Sequence, residues 1–167
     1  MSKIDGPGNG RGKWAQPAVP HRGWQCVNVE DLGEPSQICE MCEVMEIRYV
    51  QYMHHPSFPQ ILGCGLVCAG HMEGDLTGAE GRDKALRSNA RKRRDFPKRK
   101  TWYLNKNGNP QIKEGRFRIT IFTTPAGFWK GVVNDAVKNR SFFTRDRFQS
   151  LDEAKRAAFD TLVIAQS

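Results

Sequence analysis

Phe117, Ile119 and Ile121 alternate with Arg118 and Thr120, and this period of two predicts a strand over 116–122 with one buried face. Segments 128–133 and 141–148 read as two further strands, parted by the turn formers Asn134, Asp135 and Asn139. After Ser150 the period becomes helical. Leu151, Ala154, Ala158, Leu162 and Ala165 share a face, and Ser150 and Glu153 have the spacing of a capping box. Upstream, Ala79, Leu86 and Ala90 trace a thin apolar stripe through 77–94, with Thr77 and Glu80 as a second capping box. That helix should stop near Phe96-Pro97, because the residue before a proline is pushed out of helical geometry. A strand over 46–52 leads into a turn at His54-His55-Pro56. Residues 1–23 are rich in glycine and proline and poor in large apolar side chains, so this tail is expected to be disordered.

These elements make an α+β chain of four segments. After the tail (1–23) come a small knuckle with short strands (24–75), a linking helix (76–100), and a three-stranded antiparallel sheet packed on one C-terminal helix (101–167). A hydrophobic share of 38% over 167 residues is enough for compact cores. No apolar run approaches the roughly 20 residues of a membrane helix, and the first residues lack the apolar stretch of a secretory signal. The expected setting is intracellular, cytoplasmic or nucleoid-associated, with no membrane partner.

Charge divides the segments sharply. Of 26 Lys and Arg residues, ten lie within 82–100, where only Asp83 and Asp95 oppose them, so this stretch alone accounts for the net charge of +8. These are Arg82, Lys84, Arg87, Arg91, Lys92, Arg93, Arg94, Lys98, Arg99 and Lys100. Such concentration makes a docking site for a polyanion, most commonly a phosphate backbone. Segment 24–75 has the opposite character, with eight acidic residues against Arg48 alone. The competing expectation is therefore that the basic helix is neutralised internally by the acids just before it.

Cysteines carry the clearest chemistry. Cys39 and Cys42 form a CxxC, and after 21 intervening residues Cys64 and Cys68 form a CxxxC, so two turns each offer two thiolates to one tetrahedral zinc. Cys26 is left over. All four paired cysteines are the preferred ligand set, closed and structural. His71, three residues past Cys68, is the alternative to one of them, and His54 or His55 can approach from the intervening loop. The turn-strand-turn pattern over 39–71 resembles zinc ribbons and treble clefs.

His54, His55 and His71, with Glu73 and Asp75, are also the residue types that a metal-dependent nuclease needs to activate water and hold a metal. The arrangement resembles His-Asn-His nucleases, but Asn28 and Asn89 are both badly placed for the middle role. Catalysis is accordingly ranked below binding. At the other end of the chain, Gly127-Phe128-Trp129-Lys130-Gly131 and the helix start Ser150-Leu151-Asp152-Glu153-Ala154 resemble Apetala-type DNA-binding modules and the amino-terminal modules of tyrosine integrases. The resemblance covers 101–167. It implies that Arg116, Arg118, Lys130, Arg145 and Arg147 project from the sheet toward a major groove while the helix braces the back. The chain departs from those modules in a longer connection over 135–146 and in lacking an arginine-rich first strand.

Together these features predict a non-catalytic zinc protein that binds nucleic acid, DNA in preference to RNA, with phosphate contacts from Arg82, Arg87, Arg91, Lys92, Arg94, Lys98, Arg99, Lys100, Arg116, Arg118 and Lys130. The second expectation is an adaptor that engages a nucleic-acid enzyme through its acidic zinc segment. Trp129 is expected in the core. Exposed aromatics beside lysines suit single strands, so duplex and single strand both stay open.

Overall fold

A computed structural model describes residues 10–167 and divides the chain into two compact units, one reaching Ala90 and the other running from Arg91 to Ser167. The architecture is α+β, as the periodicities require. Residues 1–9 of the expected disordered tail lie outside the described residues.

The first unit is built on an antiparallel sheet of order β1-β4-β5, from β1 (Gln25–Asp31), β4 (Tyr49–His55) and β5 (Phe58–Cys64). A short hairpin of β2 (Gln37–Ile38) and β3 (Glu46–Ile47) encloses the first cysteine pair. The strand expected over 46–52 is thus two strands, β3 and β4, and the second runs on to His55. After β5 the chain turns into α1 (Leu66–Glu73) and then α2 (Leu76–Asp95). Helix α2 begins at Leu76, one residue before its expected cap. Asp75, not Thr77, closes its first turn by accepting a hydrogen bond from the Gly78 N–H at 2.9 Å.

The expectation of disorder fails for residues 10–23. Trp14 and Val19 are buried in one cluster with Trp24, Met41, Met53, Met72 and the paired cysteines. Around a 3-10 turn at Gly12–Ala15, the Lys13 N–H donates to the Met41 carbonyl at 2.8 Å. Gly12 has φ +58, and a Cβ there would lie 2.5 Å from the Cys42 carbonyl oxygen, so only glycine lets the two backbones approach this closely. The Trp24 indole N–H donates to the Pro20 carbonyl at 2.8 Å. Two tryptophans and one valine thus supply the burial that glycine and proline content concealed.

The second unit holds a five-stranded antiparallel sheet, order β10-β9-β8-β7-β6, where three strands were expected. Its strands are β6 (Tyr103–Leu104), β7 (Pro110–Glu114), β8 (Phe117–Thr123), β9 (Trp129–Asp135) and β10 (Arg140–Phe143). The third expected strand ends at Phe143, and Phe148 returns only as an isolated bridge to Trp129. Helix α3 (Leu151–Gln166) starts at Ser150, whose side chain accepts the Glu153 N–H at 3.1 Å as the capping box requires.

Helix α3 buries Ala154, Ala158, Phe159, Leu162 and Ala165 against Ile119, Ile121 and Val133. Gly131 allows the close packing: a Cβ there would meet Ala158 Cβ at 3.1 Å. Trp129 packs against this core, as expected. Phe96, fully buried, lies 5.3 Å from both the Trp102 and the Phe159 rings.

Candidate functional site

The strand pairing that builds the first unit brings the cysteines to one point. Cys39 follows β2, Cys42 sits in the next turn, Cys64 ends β5, and Cys68 lies in α1; all four are buried and free of disulfides. The sulfurs of Cys39, Cys42 and Cys68 lie within 4.8 Å of one another, a group that could hold a metal ion. Cys64 falls outside that mutual distance, and its sulfur donates to the Leu62 carbonyl at 3.7 Å. Glu40 ties the halves together: its N–H donates to the Gly63 carbonyl at 2.9 Å, and its carboxylate accepts the Gly63 N–H.

Charge cannot accumulate on these sulfurs unaided. Hydrogen bonds from Cys64 and Cys68 hold the Cys39 thiol far below its ordinary value, and the same contacts together with burial push Cys64 and Cys68 up. Without a cation the cluster therefore favours one thiolate, and further deprotonation needs a positive charge among the sulfurs. The Trp14 indole N–H, donating to the Cys68 sulfur at 3.4 Å, opposes part of the upward shift of that thiol. Sequence reading missed Trp14 because it lies in the glycine- and proline-rich leader. A large aromatic among small residues was the available signal.

The histidines do not join the cluster. His54 is exposed at the end of β4, and His71 is exposed on α1. His55 Nδ1 accepts the Ser57 N–H at 2.9 Å, and its ring lies 5.3 Å from that of Trp24. Among the described residues the cysteine trio is the group of metal-ligating side chains brought together, and it contains no histidine, Glu73 or Asp75.

Half of the basic stretch is engaged within the chain. The Arg82 guanidinium pairs with Glu73 and donates to Gln51 Oε1 at 2.8 Å, while Gln51, itself buried, donates to the Ala79 carbonyl at 2.9 Å. Arg82 thus anchors α2 to β4 and is not free for phosphate. Arg87 pairs with Asp83 at 2.6 Å and lies over the Tyr49 ring. Arg93 pairs with Asp160, Arg94 with Asp95 and Arg99 with Glu114. Among the described residues of the basic stretch, Arg82 is the one paired with an acid of 24–75, so internal neutralisation by that segment is not the general rule. Lys84, Arg91, Lys92, Lys98 and Lys100 are exposed, and none has an ion-pair partner among the described residues.

On the C-terminal sheet the two faces differ in charge. Arg116 pairs with the buried Asp135 at 3.1 Å and stacks on Phe117, so it serves the fold and does not project as the resemblance implied. Arg118 and Lys130 alternate with the buried Phe117, Ile119, Gly131 and Val133, which places them on the face away from α3. Lys113, opposite Arg118, shares that face, and sequence reading did not find it because β7 shows no clear alternation. Asp135 and Glu114 both stand opposite Phe117 and belong to the helix side. The open face of β7 to β10 therefore carries three cations and no carboxylate. Arg145 and Arg147 are exposed beyond β10, with Arg147 over the Phe128 ring at 4.8 Å.

No protein-family model, curated protein or solved structure matches the chain. Among the described residues no helix is long and apolar enough to cross a membrane.

Proposed function

We propose that the chain is a non-catalytic, zinc-braced protein that binds nucleic acid through its C-terminal sheet. The observation that carries this reading is the open face with Lys113, Arg118 and Lys130, unpaired among the described residues and opposed by no strand carboxylate. Its support in the sequence is the resemblance of 101–167 to Apetala-type and integrase amino-terminal modules, where the corresponding sheet face meets DNA. The unpaired Arg91, Lys92, Lys98 and Lys100 add phosphate contacts near the start of the same unit.

Zinc is the metal that the donor set favours. A buried group of thiols with no oxygen or imidazole donor suits a soft, closed, tetrahedral site. Cys39, Cys42 and Cys68 would supply three thiolates and Cys64 the fourth. Such a site braces the fold and leaves no position for activating water. Elemental analysis of the purified chain should give one zinc, and Cys39→Ser should lose it.

The binding reading is tested with full-length protein and labelled DNA across a salt series. Affinity should fall steeply with salt, each phosphate contact adding about 0.9 to the log–log slope. Arg118→Glu with Lys130→Glu should weaken binding at least about tenfold, at two phosphate contacts removed, without lowering the melting temperature. Unchanged binding by the double variant would sink the reading.

A second reading rests on the β2–β3 hairpin, where Ile38, Val44 and Met45 are 49%, 48% and 62% exposed among Glu40, Glu43 and Glu46. An acidic apolar knob of this kind suits a protein partner. Nonspecific duplex DNA displaces the partner under the first reading and leaves it bound under the second.

A further inference from the structure

The open face of the C-terminal sheet also carries rings, and their placement narrows the ligand. Strand register sets Phe143, Val132, Thr120, Gln111 and Tyr103 in one row across the sheet, edge to edge. Phe122, opposite Lys130, lies one pleat repeat away on the central strand β8. Phe143 is 59% and Tyr103 41% exposed, and Phe122 is half-buried. With strands about 4.8 Å apart and residues of one face about 6.8 Å apart along a strand, Phe122 stands roughly 12 Å from each edge ring. Lys130 flanks the rings on one side, and Arg118 and Lys113 flank them on the other.

The amide side chains of this face, Gln111 and Asn134, are engaged with neighbours. Gln111 Oε1 accepts from Asn105 Nδ2 at 3.1 Å and Thr120 Oγ1 at 3.3 Å, and Gln111 Nε2 donates to the Tyr103 hydroxyl at 2.6 Å. Asn134 Nδ2 donates to Ser141 Oγ at 2.7 Å. Beside them the face offers exposed rings and positive charge. A ring face can stack only on a base that is not already stacked, and in a duplex each base face is covered by a neighbour about 3.4 Å away.

We propose that this face is a stacking platform for single-stranded nucleic acid, on which Phe143, Phe122 and Tyr103 receive bases while Lys113, Arg118 and Lys130 receive phosphates. It rests on the nucleic-acid reading above and specifies the strand state. Because its contacts are ring faces and charge, the platform tolerates many sequences. Stacking and phosphate attraction are common to all bases.

Fluorescence anisotropy of the full-length chain with labelled oligo(dT), oligo(rU) and a mixed-sequence duplex tests it. Oligo(dT) or oligo(rU) should bind more tightly than the duplex. Phe143→Ala should weaken single-strand binding by about ten- to a hundredfold, the loss expected for one stacked base, and Phe143→Trp should retain it. Phe143 is exposed, so circular dichroism melting should be the same for all three proteins. If the duplex binds as well as the single strands, or F143A changes nothing while R118E/K130E abolishes binding, stacking is overturned and the nucleic-acid reading stands. If charge reversal has no effect either, both fall.

Discussion

Asp135 shows how one residue can decide which charges are free. Burial alone pushes its carboxyl up, but the N–H groups of Lys138 and Val137 and the Arg116 guanidinium outweigh burial and hold it below the ordinary carboxylate value. A carboxylate held low in the folded state stabilises above its unfolded value and loses that contribution as pH falls toward the folded one. The second unit should therefore weaken as pH drops below about 4. Asp135→Asn should lower the urea midpoint at neutral pH, and the gap from the parent protein should close in acid. A gap independent of pH would show that the ionised form contributes nothing. Trp14 is the other decisive residue. Trp14→Phe keeps the ring but removes the donor to Cys68, and in competition with a chelator it should hold zinc about ten- to a hundredfold more weakly, as losses of outer hydrogen bonds to metal ligands do. Periodicity betrays neither role, and for Trp14 the one signal in the sequence is a large aromatic among small residues.

Elements were legible where burial wrote a period into them. β8 alternates cleanly because α3 covers one of its faces, and α3 shows a helical stripe for the same reason. β6 and β7 escaped notice: β6 has two exposed residues, and β7 opens on Pro110 and buries only Ile112 among its apolar side chains. The start of α2 was misplaced because Asp75 and Thr77 both satisfy the chemistry of an N-cap, and sequence alone does not say which backbone leaves the helix first. Asp75→Ala should cost about 1 kcal/mol in urea denaturation, against no more than about 0.5 kcal/mol for Thr77→Ala. Equal losses would return the cap to Thr77. The basic stretch divides in the same way. Its charge was plain, but which guanidinium groups find carboxylates depends on long-range neighbours such as Asp160 and Glu114.

At the scale of the whole molecule, two separate hydrophobic clusters support two units, and only the first contains the cysteines. Removing metal should therefore act on one cluster and spare the other. Amide hydrogen exchange after strong chelation is expected to show loss of protection in 25–73 with protection retained in 110–165, and uniform protection throughout would refute a bracing role for the metal. The cysteine spacing confined the expected metal site to 24–75, whereas the contribution of residues 10–23 to the first cluster could not be seen in a stretch so rich in chain breakers. That contribution has a practical edge. Protease trimming to a start at Trp24, or a gene shortened to the same point, would strip Trp14 and Val19 from around the sulfurs and admit water and oxidants to them, so a tidier-looking fragment would be the one that forms disulfides on storage.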